Sequence, residues 1–265
     1  MEPNQNKRKW LLRRPKDDAP ARIFCLPYSG CGASMYSRWP ERIGPAEVCL
    51  LQPPGRENRL RDAHYGTYEA LAADLVPVLL PYLDRPFAFF GHCGGALPGF
   101  ATALHLTRAL QERGPSEHAP VPSCLFISSQ VAPHRGPYGR FLSMDDGELA
   151  IELEGLVRAM GGVPDPSLVE LGLEVLRADV EANKGYRLDA PVKLPCAITV
   201  FGWEEDREVA PSLMEGWDAY TEAGSFRQIV LEGSHYEFLK APMPLLAEMA
   251  SDMRKAIERY PHATR

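Results

Sequence analysis

Six short apolar runs without helical period recur along the chain, at 22–26, 47–51, 87–90, 121–129, 196–201 and 226–231. Most are closed by glycine, proline or acidic residues, which end strands. Between them apolar residues fall at helical spacing: Leu71, Leu75, Val78 and Leu79 within 68–80, with further helices over 97–113 and 244–260. Strands alternating with helices predict an α/β fold, a mostly parallel central sheet with helices on both faces. The alternation stops between 141 and 188. There Asp145-Asp146-Gly147-Glu148 opens one helix, 157–166 breaks it, and 168–184 is helical again. Acidic residues in a first turn suit the helix dipole. This strand-free insert, about 141–188, is expected to cap a site as a helical lid and not to form a second domain, so that 1–265 is one domain.

Composition narrows the function. The chain has 265 residues, 45% of them hydrophobic and 24% charged, with a net charge of −6. An acidic balance argues against nucleic acid or an anionic membrane as the main partner. No apolar run is long enough to span a bilayer. The first residues are polar and basic, without the apolar centre of a signal peptide, so a cytoplasmic location is expected. Residues 1–20 read as a loose lead-in, pinned to the body by Trp10, Leu11 and Leu12. Of six cysteines, Cys25, Cys49, Cys124 and Cys196 sit in strand-like runs as buried thiols. No Cys-x-x-Cys pair or zinc spacing occurs, so neither structural disulfides nor a metal site is expected.

The chemistry centres on Phe90-Gly91-His92-Cys93-Gly94-Gly95-Ala96, between a strand and a helix. Gly-x-nucleophile-x-Gly in that context is a nucleophile elbow, here with cysteine where serine is usual. The following backbone N–H, Gly94, is placed to stabilise an oxyanion at the helix N-terminus. The glycine-rich loop after the first strand, Pro27-Tyr28-Ser29-Gly30, offers a second donor, the N–H of Ser29 or its neighbour Tyr28. A nucleophile needs a base, and the base an orienting carboxylate. In this architecture they follow in the chain order nucleophile, acid, histidine. Of seven histidines only His235 lies in the loop directly after the last strand; His92 is expected to point away from Cys93. Among Glu204, Glu205 and Asp206 after the fifth long strand, Asp206 is favoured, because Val209 then re-enters the core; Glu205 is the alternative.

With these residues in hand, the chain resembles the type II thioesterases of nonribosomal peptide and polyketide synthesis, from about Trp10 to about Ala250. The resemblance rests on Phe24-Cys25-Leu26-Pro27-Tyr28-Ser29-Gly30, Gln52-Pro53-Pro54-Gly55-Arg56-Glu57, the Cys93 segment, Leu176-Arg177-Ala178-Asp179 and Gly233-Ser234-His235. It implies an α/β-hydrolase fold with a helical lid and a monomer. The implied substrate is an acyl or aminoacyl thioester on the phosphopantetheine of an acyl or peptidyl carrier protein, with no other cofactor. Three positions depart from the family: Cys93 replaces serine, Gly94 a methionine and Cys31 a glycine. Gly94 is expected to widen the pocket and Trp203 to narrow it.

Cysteine alters the second half of such a reaction. A serine acyl-enzyme is an oxoester that water cleaves with the help of the triad. A cysteine acyl-enzyme is a thioester, equivalent to the incoming one, so loading is nearly thermoneutral and thiols compete with water. Cysteine is also the better nucleophile at neutral pH, more so beside an imidazolium. Hydrolysis stands slightly ahead of transfer to a second carrier. A silent carrier-binding module ranks third, and a redox pairing of Cys93 with Cys31 last.

Overall fold

Alternate side chains along each strand face opposite sides of a sheet, and the buried residues sort accordingly. In β1 (Ala21–Leu26), Phe24 and Leu26 join one core while Ile23 and Cys25 join another. The computed structural model describes residues 10–112, 120–222 and 224–260. It contains β2 (Arg42–Ile43), β3 (Ala46–Leu50), α1 (Tyr68–Leu79), β4 (Phe87–His92), α2 (Ala96–Glu112) and β5 (Cys124–Ser128). These are followed by α3 (Asp146–Ala159), α4 (Pro166–Gly185), β6 (Ala197–Trp203), β7 (Phe226–Leu231) and α5 (Met243–Arg259).

The strands form one sheet in the order β2-β3-β1-β4-β5-β6-β7. Every pair is parallel except β2–β3. Helices α1 and α2 cover one face through Leu71, Leu75, Leu97, Phe100 and Leu104. Helix α5 covers the other through Leu245, Met249 and Met253. This is the α/β-hydrolase arrangement. The register pairs Leu26 with Gly91, His92 with Ser128 and Ser128 with Phe201, so the C-terminal ends of four strands meet at one edge. In open α/β sheets ligands bind outside those ends.

Helices α3 and α4 form the insert between β5 and β6, packed together through Leu149, Leu153, Leu176 and Val180. Asp145 and Glu148 close a capping box on α3, which satisfies otherwise orphaned N–H groups. Asp165 caps α4, with Pro166 in its first turn. The lead-in docks through Trp10, whose indole N–H donates to Asp74 at 2.8 Å, and through a bridge from Leu11 to Leu51. Leu12, expected to help, stays 41% exposed. Residues 1–9 of the lead-in, the Arg113 end of α2, His118 and His262 lie outside the described residues. Among the described residues no helix is long and apolar enough to cross a membrane.

Strand β2 is absent from the sequence reading. Two residues carry no periodicity, and pairing with β3 alone makes them a strand. Strands β4 and β6 also run beyond the expected 90 and 201, because Gly91 and Gly202 continue the ladder instead of ending it.

Candidate active site

Cys93 stands at the tip of the turn between β4 and α2 with φ of +47°, a left-handed conformation that costs a non-glycine residue energy and clusters at functional sites. Its neighbours impose that turn. A Cβ on Gly91 would lie 2.2 Å from the Gly95 carbonyl oxygen, and one on Gly95 would lie 2.6 Å from that of Pro27. Only glycine permits both approaches. The Gln130 side chain braces the turn by donating to the Cys93 carbonyl at 3.0 Å.

The loops after β6 and β7 bring Asp206 and His235 together. His235 Nδ1 lies 2.9 Å from Asp206 Oδ2, and both residues are buried. Asp206 also accepts from the Ser129 hydroxyl at 2.7 Å and from the N–H groups of Glu208 and Val209 at 2.8 and 3.0 Å. Burial works against its charge, but these bonds and His235 hold the carboxyl below its ordinary range. Glu204 and Glu205 are exposed, and Val209 is buried in the core.

Burial alone would strip His235 of its proton. The bond to Asp206, the nearby Cys93 and the charge on Glu208 outweigh it, and the imidazole is pushed up to about 10. His235 is therefore an imidazolium at neutral pH, the partner a reactive thiolate needs. Glu208 Oε2 is 3.3 Å from its Nε2, a second carboxylate that sequence position gave no reason to single out.

His92, expected to point away from Cys93, packs against His235, with the two Nε2 atoms 3.4 Å apart. It stacks on Phe238 at 3.8 Å and meets the Ser128 hydroxyl at 2.8 Å. Burial and the charge on His235 keep it neutral, well below the ordinary histidine range. Chain position could not show this, because the contact is made by a loop folding back from 143 residues away. Trp203 corrects an expectation: it is fully buried, donating to Ser128 at 3.2 Å, and it does not line the pocket at Cys93. Ser128, Ser129 and Gln130 thus each reach a different part of the site. A run of three polar residues at the end of a buried strand is the signal that marks them.

The loop after β1 lies against Gly94. A Cβ on Gly94 would come 1.9 Å from Ser29 Oγ and 3.3 Å from Ser29 N. The missing side chain therefore leaves no extra room, since Ser29 fills it. The Tyr28 N–H is directed to the Met35 sulfur at 3.0 Å, which leaves Ser29 as the donor candidate beside Gly94.

The insert lies over Cys93 and Ser29. Tyr138 to Leu142, with Val180 and Asn183 of α4, leave a cavity of about 20 Å³ above Cys93, room for about one water. Arg140 ties the insert to the body, pairing with Glu152 of α3 at 2.5 Å and with Glu208 at 2.9 Å. Among the described residues no cluster of side chains suits a metal ion.

A family model described as "Thioesterase domain" matches residues 21–253. The chain is 31% identical to "Linear gramicidin dehydrogenase LgrE" of Brevibacillus parabrevis, over 95% of each chain. Among solved structures it is similar to the RedJ thioesterase of the prodiginine pathway in Streptomyces coelicolor (34% identity, TM-score 0.71, 88% of this chain and 91% of that one). It is also similar to the type II thioesterase BorB of the borrelidin biosynthetic cluster (29% identity, TM-score 0.74, 92% and 98%). The strand-end site, the helical insert and these likenesses agree: the chain belongs to the thioesterase family, with the type II thioesterases of nonribosomal peptide and polyketide synthesis.

Proposed function

We propose that this chain releases acyl or aminoacyl groups from the phosphopantetheine of an acyl or peptidyl carrier protein through a Cys93 acyl-enzyme, with His235 and Asp206 completing the triad. The observation that carries this reading is that the strained Cys93 turn presents its side chain within hydrogen-bonding reach of His235 in the buried His235–Asp206 pair. The "dehydrogenase" in the name of the LgrE relative is not carried over, since the matched family and this trio both suit acyl transfer.

In the proposed cycle the Cys93 sulfur attacks the thioester carbonyl. The oxyanion accepts from the N–H groups of Gly94 and Ser29. As the tetrahedral intermediate collapses, His235 gives its proton to the departing pantetheine thiol and becomes the neutral base. Asp206 holds its tautomer and orientation throughout. His235 then takes a proton from water as it attacks the Cys93 thioester, and collapse of the second intermediate expels the Cys93 sulfur beside the regenerated imidazolium and releases the acid. The cavity of about 20 Å³ is too small for an acyl group, so the insert moves before one is admitted, which is the work of a lid.

Transfer is the second reading, favoured by the sulfur itself, because a second carrier's thiol can replace water in the last step. The redox reading is weakened by Cys31: burial, against the pull of Arg56, pushes its thiol up to about 12. A silent module would have no use for an intact His235–Asp206 pair.

Intact-protein mass spectrometry, with an acyl-loaded carrier and a second empty one, decides between the readings. An adduct on Cys93 followed by free acid identifies the hydrolase, and label on the second carrier identifies the transferase. Full turnover by Cys93→Ala would sink both. Cys93→Ser, which makes an oxoester, is expected to keep hydrolysis and lose most transfer.

A further inference from the structure

Two segments that carry the resemblance, Pro54-Gly55-Arg56 and Leu176-Arg177-Ala178-Asp179, have no part in the chemistry above, yet in the structure they meet. Asp179 lies on α4, within the insert, and is 2% exposed. Its carboxylate receives Arg56 in bidentate fashion, Nη1 at 2.9 Å and Nη2 at 2.8 Å. His64 Nε2 and the Tyr65 hydroxyl complete its shell at 2.7 and 2.5 Å. Such a pair would satisfy itself without touching the site, but one further bond reaches it. The backbone N–H of Gly30 donates to Asp179 Oδ2 at 2.8 Å.

That N–H belongs to the peptide plane directly after Ser29. On its far side Arg56 Nη1 donates to the Cys31 carbonyl at 3.0 Å. The Gly30–Cys31 backbone is therefore gripped at a donor and at an acceptor by one buried ion pair. The insert also presses on the loop sterically. Gly30 has φ of +76°, and a Cβ there would lie 3.1 Å from both Leu153 of α3 and Leu176 of α4.

We propose that Asp179 is a positioning residue that holds the Ser29 N–H in its oxyanion-stabilising orientation, so that the donor is set only while α4 is docked. The proposal rests on the Cys93 acyl-enzyme reading. Closure of the insert and completion of the oxyanion site become one event, and an open enzyme binds without being competent to react.

Alkylation of Cys93 by iodoacetamide separates this role from general support of the fold. Substitution at the methylene carbon of that reagent develops no oxyanion, whereas thioester cleavage does. In Asp179→Asn, kcat on the thioester is expected to fall roughly tenfold to a hundredfold, the range for a misplaced donor. KM and the rate of Cys93 alkylation, followed by peptide mass, stay within about twofold. Tyr65→Phe, which removes a bond from the same carboxylate but not from the loop, leaves all three within about twofold. Arg56→Lys keeps the buried charge but gives up the fork that reaches Cys31, and it shows the same split at smaller amplitude even if Asp179→Asn does not fold. Alkylation falling in parallel with turnover, or turnover unchanged in folded variants, overturns the proposal. A wild-type enzyme that keeps its turnover after Cys93 is alkylated removes the acyl-enzyme reading instead, whatever Asp179 does.

Discussion

At Asp206 one oxygen faces His235 and the Ser129 hydroxyl while the other takes two backbone N–H groups. Asp206→Asn keeps the shape but offers an amide donor where His235 needs an acceptor. Turnover is expected to fall about 10³- to 10⁴-fold with little change in KM, which steady-state kinetics on an acyl thioester would measure. The raised affinity of His235 for a proton has its own signature. Its folded value of about 10 lies above the ordinary 6.5. The stability it contributes is therefore complete below about pH 6.5 and fades as pH rises toward 10. Urea unfolding across that window should show the wild type losing its advantage over His235→Gln as pH increases. Asp206 and Asp179 act at the other end: both carboxyls are held low, so their contribution is present above about pH 4 and lost on acidification. The Cys93, Asp206 and His235 positions were legible because each follows a strand in a fixed order. Trp203 stands apart from the pocket because period-two alternation from Phe201 puts its ring in the α5 core. His92 and Glu208 were hidden, since their proximity to His235 is created by loops whose path no local pattern encodes.

Among the elements, the β4–α2 turn is the least forgiving. Gly95→Ala drives a methyl into the Pro27 carbonyl, which is backbone and cannot step aside. A loss of about 1–3 kcal/mol is expected, read as a lower urea midpoint with an unchanged slope. Asp145→Ala removes the α3 cap and should cost about 1 kcal/mol without moving the site. The long strands and helices were readable from periodicity because burial on two faces enforces it. Element ends were less so: whether Gly91 or Gly202 stops a strand depends on the neighbouring strand that pairs with it, not on the residue itself.

For the whole molecule, the insert was recognisable as a strand-free interruption, but its attachments were not. Gly30 and Asp179 are 149 residues apart, and Arg56 and Asp179 are 123 apart; only the folded sheet brings them together. The Arg140 pairs are a second attachment, partly exposed and so worth on the order of 1 kcal/mol. Arg140→Leu is expected to shift the insert toward open and to raise kcat/KM for bulky acyl thioesters about fivefold. An unchanged or lower value for every chain length would show that opening does not limit them.

The left-handed turn at residue 93 is imposed by Gly91, Gly95 and the brace from Gln130, all of which act on the backbone of the turn. The scaffold is thus indifferent to which atom it presents. Cysteine and serine codons differ by a single base, so a lineage can move between an acyl group that thiols can collect and one left to water by a point mutation. The pocket, the lid and the oxyanion loop would be inherited intact, and selection would act on the product alone.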